Sequence, residues 1–217
     1  IGKGYLEIGL IHSLTSYFAV PKGLDDIRMV YDGTKSGLND AMFAPWFPLP
    51  TVEQLLRVVA CGSYMGAIDV GEMFLNFIMH KSLRVHCGVD VTPYFPELKK
   101  SEDGTVWFRW SRCGMGFKNS PYVATQGLAI AEEWMMGDPM DETNVFRWDS
   151  VMLNLPGMSD YDPSKAWVAK VRYDDGKVAC DVFIYVDDVR TVGPSEPECC
   201  QVSRTVASKL NWLGLQD

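Results

Sequence analysis

The chain has 217 residues, 47% of them hydrophobic and 22% charged, which is typical of a globular fold and excludes a disordered chain. No apolar run approaches the roughly 18 to 20 residues needed to span a bilayer, so we expect no membrane partner. The 20 basic and 28 acidic side chains leave a formal net charge of −8, which argues against a protein that holds nucleic acid mainly through its phosphates.

The first five residues contain neither an initiator Met nor the pattern of a signal peptide, and we therefore expect a piece of a longer, intracellular chain. The cysteines and histidines form no C-x-x-C motif and no zinc-ligand spacing. They predict free thiols in a reducing compartment, either the cytoplasm or the nucleus. These residues are Cys61, Cys87, Cys113, Cys180, Cys199, Cys200, His12, His80 and His86.

The amino-terminal part of the chain predicts a hairpin. Residues 14–20 are rich in aromatic and β-branched types, turn residues follow, and residues 27–31 return as a second strand. This arrangement places Lys22 and Arg28 near the hairpin tip.

A helix and a strand are expected next. Prolines at positions 45, 48 and 50 mark an extended connector. Residues 51–54 form a capping box that opens a helix ended by Gly62. Residues 64–70 then predict a strand that enters the core and carries an Asp near its end.

The middle of the chain predicts a second hairpin and a long helix. The hairpin covers residues 101–110, with its turn at residues 102–104. Proline is favoured at the first helical position, so Ser120-Pro121 begins a helix that runs to about Met136 and stops at Gly137.

Residues 138–164, here called the acidic insertion, hold three prolines and six acids against one base, Arg147. They predict an irregular surface loop. Residues 166–173 and the segment from Val178 onward predict a hairpin around an Asp-Asp-Gly turn. The last helix is expected from Pro197 to Leu213.

Asp187 and Asp188 stand between two β-rich segments, which predicts a hairpin with both carboxylates at its tip. At about 4 Å and an effective dielectric of about 20, their repulsion costs on the order of 4 kcal/mol. Beside apolar strands they need cations or protons, and a divalent metal is one answer. An ordinary exposed turn, where Asp is common, is the other.

Asp69 closes the strand at 64–70, and the aromatic Phe74 follows five residues later. A strand-end Asp is often a helix cap. Together with Asp187, however, it fits two-metal phosphoryl transfer, in which carboxylates from separate strands converge on ions about 3.5 to 4 Å apart.

Glycines at positions 114 and 116 precede the helix start at Ser120. Glycine lets backbone approach a ligand closely, and a helix amino terminus favours anions. An ordinary turn with a helix cap is the alternative explanation.

Taken in chain order, these segments resemble the motifs of reverse transcriptases, over about residues 14–214. Each motif alone is modest, whereas five in the right order are specific. The matching segments are 185–188 with the Y-x-D-D box, 69–74 with D-x-x-x-x-[FY], 116–121 with G-[FLW]-x-x-[SA]-P, 18–22 and 28–32 followed by Leu38-Asn39 with the fingers hairpin, and 48–50 with the Pro-containing connector of retrotransposon polymerases.

The resemblance implies an α+β fold in which a polymerase palm of antiparallel strands is backed by helices and a fingers subdomain is interleaved in sequence, without a thumb. The fingers would comprise residues 1–46 and 86–119, and the palm residues 47–85 and 120–217. It also implies the RNA-directed DNA polymerase core of a retrotransposon-like element. The expected partners are an RNA or DNA template with a primer, dNTPs, and thumb, RNase H or integrase regions of a longer polyprotein.

The resemblance further implies a two-ion site. Asp69 and Asp187 would ligate two Mg²⁺ ions, with Mn²⁺ as the alternative metal, helped by the Val70 carbonyl. Asp188 would be a weaker or outer ligand. Lys22 and Arg28 would hold the β- and γ-phosphates of the incoming dNTP.

The same resemblance implies the remaining contacts. Phe74 would pack under the sugar and exclude a 2′-hydroxyl, and Gly116 would let backbone lie near the nucleotide. The other nucleotide contacts would be Glu72, Met73 and Met115, and those to the template and primer would be Lys118, Ser120, Pro121 and Tyr185.

Two features depart from the family pattern. Met115 stands where viral enzymes often have Gln, and the 64-residue interval from Pro121 to Tyr185 is longer than usual. The acidic insertion accounts for the interval, and we expect it to lie away from bound nucleic acid because its six acids would repel phosphates.

Two alternatives stay open. The first is a palm polymerase that makes RNA, against which the aromatic Phe74 argues. The second is a domesticated, inactive scaffold, against which the retention of all three acids argues.

Overall fold

The computed structural model describes residues 3–98, 101–103 and 106–215. It divides into two compact units, the first formed by residues 1–47 and 72–125 and the second by residues 48–71 and 126–217. Within the described ranges, none of the helices combines the length and the apolar character that crossing a membrane demands.

The chain is a mixed α/β protein in which every pairing between the named strands of the described part is antiparallel. This confirms the predicted fold class. The strands are β1 (Leu6–Leu10), β2 (Ser16–Lys22), β3 (Asp26–Asp32), β4 (Tyr64–Asp69), β5 (Val106–Trp110), β6 (Ser150–Leu153), β7 (Val168–Val171), β8 (Asp181–Tyr185) and β9 (Asp188–Gly193). The helices are α1 (Leu38–Ala41), α2 (Val52–Leu56), α3 (Lys81–Arg84), α4 (Ser120–Met136) and α5 (Glu196–Trp212), with a 3-10 helix at Met73–Asn76.

The first unit contains two strand pairs, β2 with β3 and β1 with β5. Its core surrounds Tyr31, whose ring lies 4.5 Å from that of Trp110 and 6.0 Å from that of Phe117, measured between centroids. The predicted hairpin between residues 14 and 31 is confirmed by β2 and β3.

The hairpin predicted at residues 101–110 is wrong, although the strand at its end exists. Among the described residues β5 pairs with β1 on one side and bridges to Gly88 on the other, and Gly104 of the predicted turn lies outside the described residues. Glu7 of β1 fixes this long-range pairing, because its carboxylate accepts hydrogen bonds from Arg109 and Arg84, both at 2.8 Å. No local turn signal encodes such a pairing.

The second unit is built on a three-stranded sheet in the order β4-β9-β8, with α5 packed on one face. Val182, Val189 and Thr191 point to that face and are at most 1% exposed. The Thr191 hydroxyl lies 2.6 Å from that of Ser203 on α5, so a polar contact also fixes the helix.

Helix α2 begins with the predicted capping box at Thr51 but ends at Leu56, well before Gly62. The backbone N–H of Trp167 donates to the carbonyl of Arg57 at 2.7 Å, and the guanidinium of Arg57 lies 4.1 Å from the Trp167 ring. A tertiary contact therefore ends the helix where the sequence alone predicts its continuation.

The prediction of an irregular acidic insertion is partly wrong. Residues 150–153 form β6, which pairs with β7. The hairpin predicted around residues 174–176 is reduced to one antiparallel bridge between Val171 and Val178. Helix α4, with Gly137 after it, and helix α5 are confirmed to within one residue of the predicted bounds.

Candidate active site

The register of the second unit's sheet brings Asp69 and Asp188 together. Asp69 is the last residue of β4 and lies directly opposite Asp188, the first residue of β9. Directly opposite residues of an antiparallel pair have Cβ atoms about 4.5 to 5.5 Å apart. Both side chains are exposed at this end of the sheet, so two carboxylates face solvent side by side.

Asp187 belongs to the turn between β8 and β9. Its carbonyl accepts a hydrogen bond of 3.0 Å from the backbone N–H of Val70, which locks the turn to the end of β4. Val186 adopts a φ of 56°, a left-handed conformation that is rare for a β-branched residue. The predicted hairpin is confirmed, with Asp187 in its turn and Asp188 already in the returning strand.

Arg190 lies on the same face of the sheet as Asp188, two residues further along β9. Its Nη2 donates to Asp188 Oδ1 at 3.0 Å. Ala67 stands opposite Arg190 in β4 and leaves room for the long side chain. The guanidinium therefore neutralises one of the three carboxylates.

The donor set suits a hard divalent cation, because Mg²⁺ prefers carboxylate and carbonyl oxygens. Across the ranges that the structure describes, no group of three or more His, Cys, Asp or Glu side chains is spaced to hold a metal ion. Asp69, Asp187 and Asp188 are exposed, and Asp188 is held by Arg190.

The candidate phosphate-binding cations lie in the first unit, on the hairpin of β2 and β3. Arg28 pairs with Val20, and Lys22 pairs with Asp26 two residues nearer the tip, so both cations project from one face. The Lys22 Nζ lies 3.9 Å from Asp26 Oδ2. Both side chains are exposed, which leaves them accessible to an anion.

The segment around Gly116 is tied to β3 and to helix α1. Gly116 has a φ of 101°, and a Cβ there would lie 1.9 Å from the carbonyl oxygen of Tyr31. Asn39 donates to the Gly116 carbonyl at 2.9 Å and accepts from the Lys118 N–H at 2.9 Å. The glycine is therefore required by packing within the protein itself.

The other candidates in this segment also make internal contacts. The Lys118 ammonium donates to the Met42 carbonyl at 3.2 Å. Ser120 is 1% exposed, and its hydroxyl donates to the Gly114 carbonyl. Met115 and Pro121 are half-buried. The hydroxyl of Ser120 thus serves the fold, and the other residues keep accessible surface.

Glu72 lies at the start of the 3-10 helix and has a φ of 50°. The hydroxyl of Tyr5 donates to its carboxylate at 2.5 Å and the ammonium of Lys3 at 3.3 Å. The Tyr5 hydrogen bond is the main cause of a lowered Glu72 pKa, and Lys22 lowers it further. The charges of Lys3 and Lys22 therefore both favour the ionised form of this carboxylate.

The structure groups the candidates within each unit. The second unit gathers the three acids, with Val70 and Tyr185 beside them; Val70 is 2% exposed and Tyr185 lies opposite Asp188 in the sheet. The first unit places Met73 in the core and leaves Phe74 half-buried on the 3-10 helix. Sequence reasoning assigned no role to Arg190, Asn39 or Tyr5, whose contacts depend on strand register or on distant residues.

Known proteins match this chain in their folds but not in their sequences. No family model matches the chain, and no curated protein matches its sequence. The chain resembles the solved structure of a foamy viral protease-reverse transcriptase dRH with double-stranded DNA, at a TM-score of 0.63 and 16% identity. The match covers 99% of this chain and 28% of that one.

The native protease-reverse transcriptase of prototype foamy virus gives a TM-score of 0.58 at 16% identity, over 97% of this chain and 20% of that one. The foamy viral enzyme with an RNA/DNA hybrid gives 0.57 at 18% identity, over 96% and 20%. The chain thus spans between a fifth and somewhat over a quarter of these proteins. These likenesses show that the chain has a reverse-transcriptase-like fold.

Proposed function

We propose that this chain is the fingers-palm core of an RNA-directed DNA polymerase of a retrotransposon-like element. It would transfer nucleotidyl groups from dNTPs to a primer 3′-hydroxyl. The observation that carries the proposal is the pairing of Asp69 with Asp188, with Asp187 on the adjoining turn, at the end of a sheet in a reverse-transcriptase-like fold. A polymerase of this kind needs carboxylates from separate strands at one point.

Two Mg²⁺ ions, or Mn²⁺, would be held by Asp69 and Asp187 with the Val70 carbonyl, and Asp188 would be an outer ligand. The ions would supply charge stabilisation for the attacking and leaving oxygens. Arg190 would hold Asp188 in place through its 3.0 Å contact. The backbone hydrogen bond from Val70 to Asp187 supports this role, because it fixes the turn against β4.

The first unit would bind the nucleotide. Lys22 and Arg28 would contact the β- and γ-phosphates, and their exposure on one face of the hairpin supports this role. Phe74 would pack against the sugar with Glu72 and Met73 beside it. Met115 and Gly116 would contribute backbone, and Gly116 is already held in place by Tyr31 and Asn39.

The template and primer would contact Lys118, Pro121 and Tyr185, with Ser120 acting through the backbone because its hydroxyl is buried. Two of the similar proteins were solved with double-stranded DNA and with an RNA/DNA hybrid, which supports a duplex substrate. The net charge of −8 opposes such binding. Six of the 28 acids lie in the acidic insertion. Thumb, RNase H or integrase regions would provide further contacts to the nucleic acid.

The proposal is tested by primer extension on an RNA template with the full chain and its Asp187→Asn variant. We expect extension to fall at least about a hundredfold, since loss of a charged ligand exceeds the 10- to 100-fold cost of removing groups behind a ligand. Thermal unfolding should be unchanged, because the Asp187 carbonyl and not its carboxylate holds the turn.

Asp160→Asn, an exposed carboxylate of the acidic insertion, is the matched control and should extend primers at the wild-type rate. Parallel reactions with dNTPs and with NTPs separate DNA synthesis from the RNA-synthesising alternative. Wild-type extension by Asp187→Asn would remove the proposed role of the carboxylates.

A further inference from the structure

Strand β6 of the acidic insertion exposes apolar side chains on both of its faces. Val151, Met152 and Leu153 are 44%, 59% and 53% exposed, and Leu155 and Met158 extend the patch beyond the strand. Single exposed apolar residues are ordinary on protein surfaces, whereas a contiguous run of them marks an interaction site.

The outer edge of β6 is open. Within the described ranges its only strand partner is β7. The N–H of Asn154 donates to the Trp167 carbonyl at 2.8 Å, which marks that pair as hydrogen-bonded. Because antiparallel pairs alternate, Val151 and Leu153 direct their backbone groups away from β7. These groups can pair with a further strand.

This edge is held in a fixed conformation. Asn154 donates through Nδ2 to the Asp162 carbonyl at 2.8 Å and accepts from the Asp162 N–H at 2.8 Å. At the other end of β6, Asp149 accepts from the N–H of Tyr173 at 2.8 Å. Phe146 is 1% exposed and anchors the insertion in the second unit. A docking strand would therefore meet a preformed edge.

The insertion that contains β6 carries an excess of acids. The insertion carries six acids against Arg147, whose guanidinium is already bonded to Asp174. Asp149 precedes the strand, and Asp162, which is tied to its end through Asn154, also pairs with Lys165 at 3.6 Å. Lys170 of β7 stands opposite Val151, but its ammonium is paired with Asp181 at 2.9 Å, so the acids stay in excess. Hydrogen bonds from Thr143 and Ser164 lower the pKa values of Asp141 and Asp162, and the charge of Lys165 lowers that of Asp162 further.

Charge selects among the partners for such an edge. A second copy pairing at β6 would bring two acidic rims together, and like charges oppose that contact. Phosphates of a nucleic acid are repelled for the same reason. A polypeptide with basic and apolar side chains in alternation satisfies the open backbone groups, the exposed aliphatic side chains and the acidic rim together.

We propose that β6 is a docking edge for an extended, basic segment of a partner protein, which adds to β6 as a further strand. This role is independent of nucleotidyl transfer. The opposing explanation is that the acids only protect an exposed edge from self-association, as charges do on many natural sheets. The two explanations differ in whether a basic strand binds.

The test is fluorescence anisotropy with a labelled nine-residue peptide that alternates lysine and valine. We expect saturable binding to the full chain. A peptide with glutamate in place of lysine should not bind. A lysine–valine peptide N-methylated at alternate residues, which removes the donors of one edge, should bind at least about tenfold more weakly.

Leu153→Lys should weaken binding at least about tenfold, because it places a like charge on the docking edge. Ile130→Lys is the matched control, since Ile130 is 69% exposed on α4 of the same unit and should bind as the wild type does. The double variant Glu142→Gln with Asp160→Asn removes two exposed charges and should bind more weakly, with a shallower salt dependence. Thermal unfolding verifies that each variant is folded.

Three outcomes would overturn the proposal. Equal binding of the N-methylated peptide, or of Leu153→Lys, would reduce the contact to charge attraction without strand pairing. Absence of any peptide binding would leave edge protection as the explanation. Sedimentation showing dimers that Leu153→Lys dissociates would make a second copy the occupant. None of these measurements depends on polymerase activity, so the docking edge and the polymerase function can fail independently of each other.

Discussion

The sheet that carries the three acids and the hairpin that carries Lys22 and Arg28 are stabilised in opposite ways. In the sheet, one face is buried against α5, with Val189 and Thr191 at 0% exposure. In the hairpin, residues 21–28 are all exposed. A buried face fixes strand register, because a slip of one residue would turn every core side chain outward. The acids are therefore held by the core, whereas the cations depend on backbone pairing and on the base of their hairpin.

The base of the hairpin, where Tyr31 of β3 contacts Gly116, is the place where a substitution should destabilise it most. Gly116→Ala would put a Cβ 1.9 Å from the Tyr31 carbonyl oxygen of β3, at a φ of 101°. Backbone strain of about 1 to 2 kcal/mol adds to an overpacking cost of about 1 to 3 kcal/mol. We expect the free energy of unfolding in urea to fall by about 3 kcal/mol or more.

Gly23→Ala is the control for this change. Gly23 has a φ of 70° at the hairpin tip, and a Cβ added there would meet no atom within 4 Å. Only the strain of about 1 to 2 kcal/mol remains there. Equal losses for the two variants would show that the hairpin is not anchored at Gly116.

The two units should also respond oppositely to pH. In the second unit, burial and then the charge of Asp181 raise the pKa of Glu132 to about 7. The folded-state pKa lies above the unfolded value, so this group stabilises the fold below about pH 4.5 and loses that contribution as pH rises through 7. Relative to Glu132→Gln, the wild type should lose about 3 kcal/mol of unfolding free energy between pH 4.5 and 8.

The contribution of Glu72 in the first unit to stability changes with pH in the opposite direction. Its lowered pKa stabilises the fold above the unfolded value and is lost as pH falls. The side chain is 45% exposed, so solvent screening limits the loss of unfolding free energy in Glu72→Gln to about 0.5 kcal/mol. Urea unfolding of both variants and the wild type from pH 3 to 8 measures how each glutamate changes the unfolding free energy with pH. Changes in the same direction for Glu132 and Glu72 would contradict the opposite pKa shifts.

The third comparison uses two β-branched residues. Val189→Ala removes two methyl groups at 0% exposure in the central strand of the sheet, and we expect a loss of about 2 kcal/mol in unfolding free energy. Ile27→Ala in the hairpin, where Ile27 is 63% exposed, should cost less than about 0.5 kcal/mol. Similar losses would mean that the hairpin is covered in solution.

The same contrast explains which features were predictable from the sequence. The capping box at Thr51, the stop at Gly137 and the hairpin around Asp187 are encoded by neighbouring residues, and all three are confirmed. The pairing of β1 with β5 depends on Glu7 reaching Arg109 across 102 positions, and no short window contains that information.

In the candidate site, too, some features follow from neighbouring residues and others depend on the tertiary structure. The motifs identified Asp69, Asp187 and Asp188, but strand register determines that Asp69 faces Asp188. The contact of Arg190 follows from that register as well. Gly116 was predicted to approach a nucleotide, whereas the atom that requires a glycine there is a carbonyl of the protein itself. The metal ions, the nucleotide contacts and the division into fingers and palm stay predictions.

The left-handed backbone of Val186 has a consequence for how sequences of this kind diverge. Glycine or asparagine would relieve a strain of about 1 to 3 kcal/mol at this turn, so random substitution under selection for stability alone should replace the valine. A lineage that keeps a branched residue at this position therefore records selection on the turn beyond folding. Glu72, whose φ is also positive but which is not β-branched, provides the comparison position for such substitution patterns.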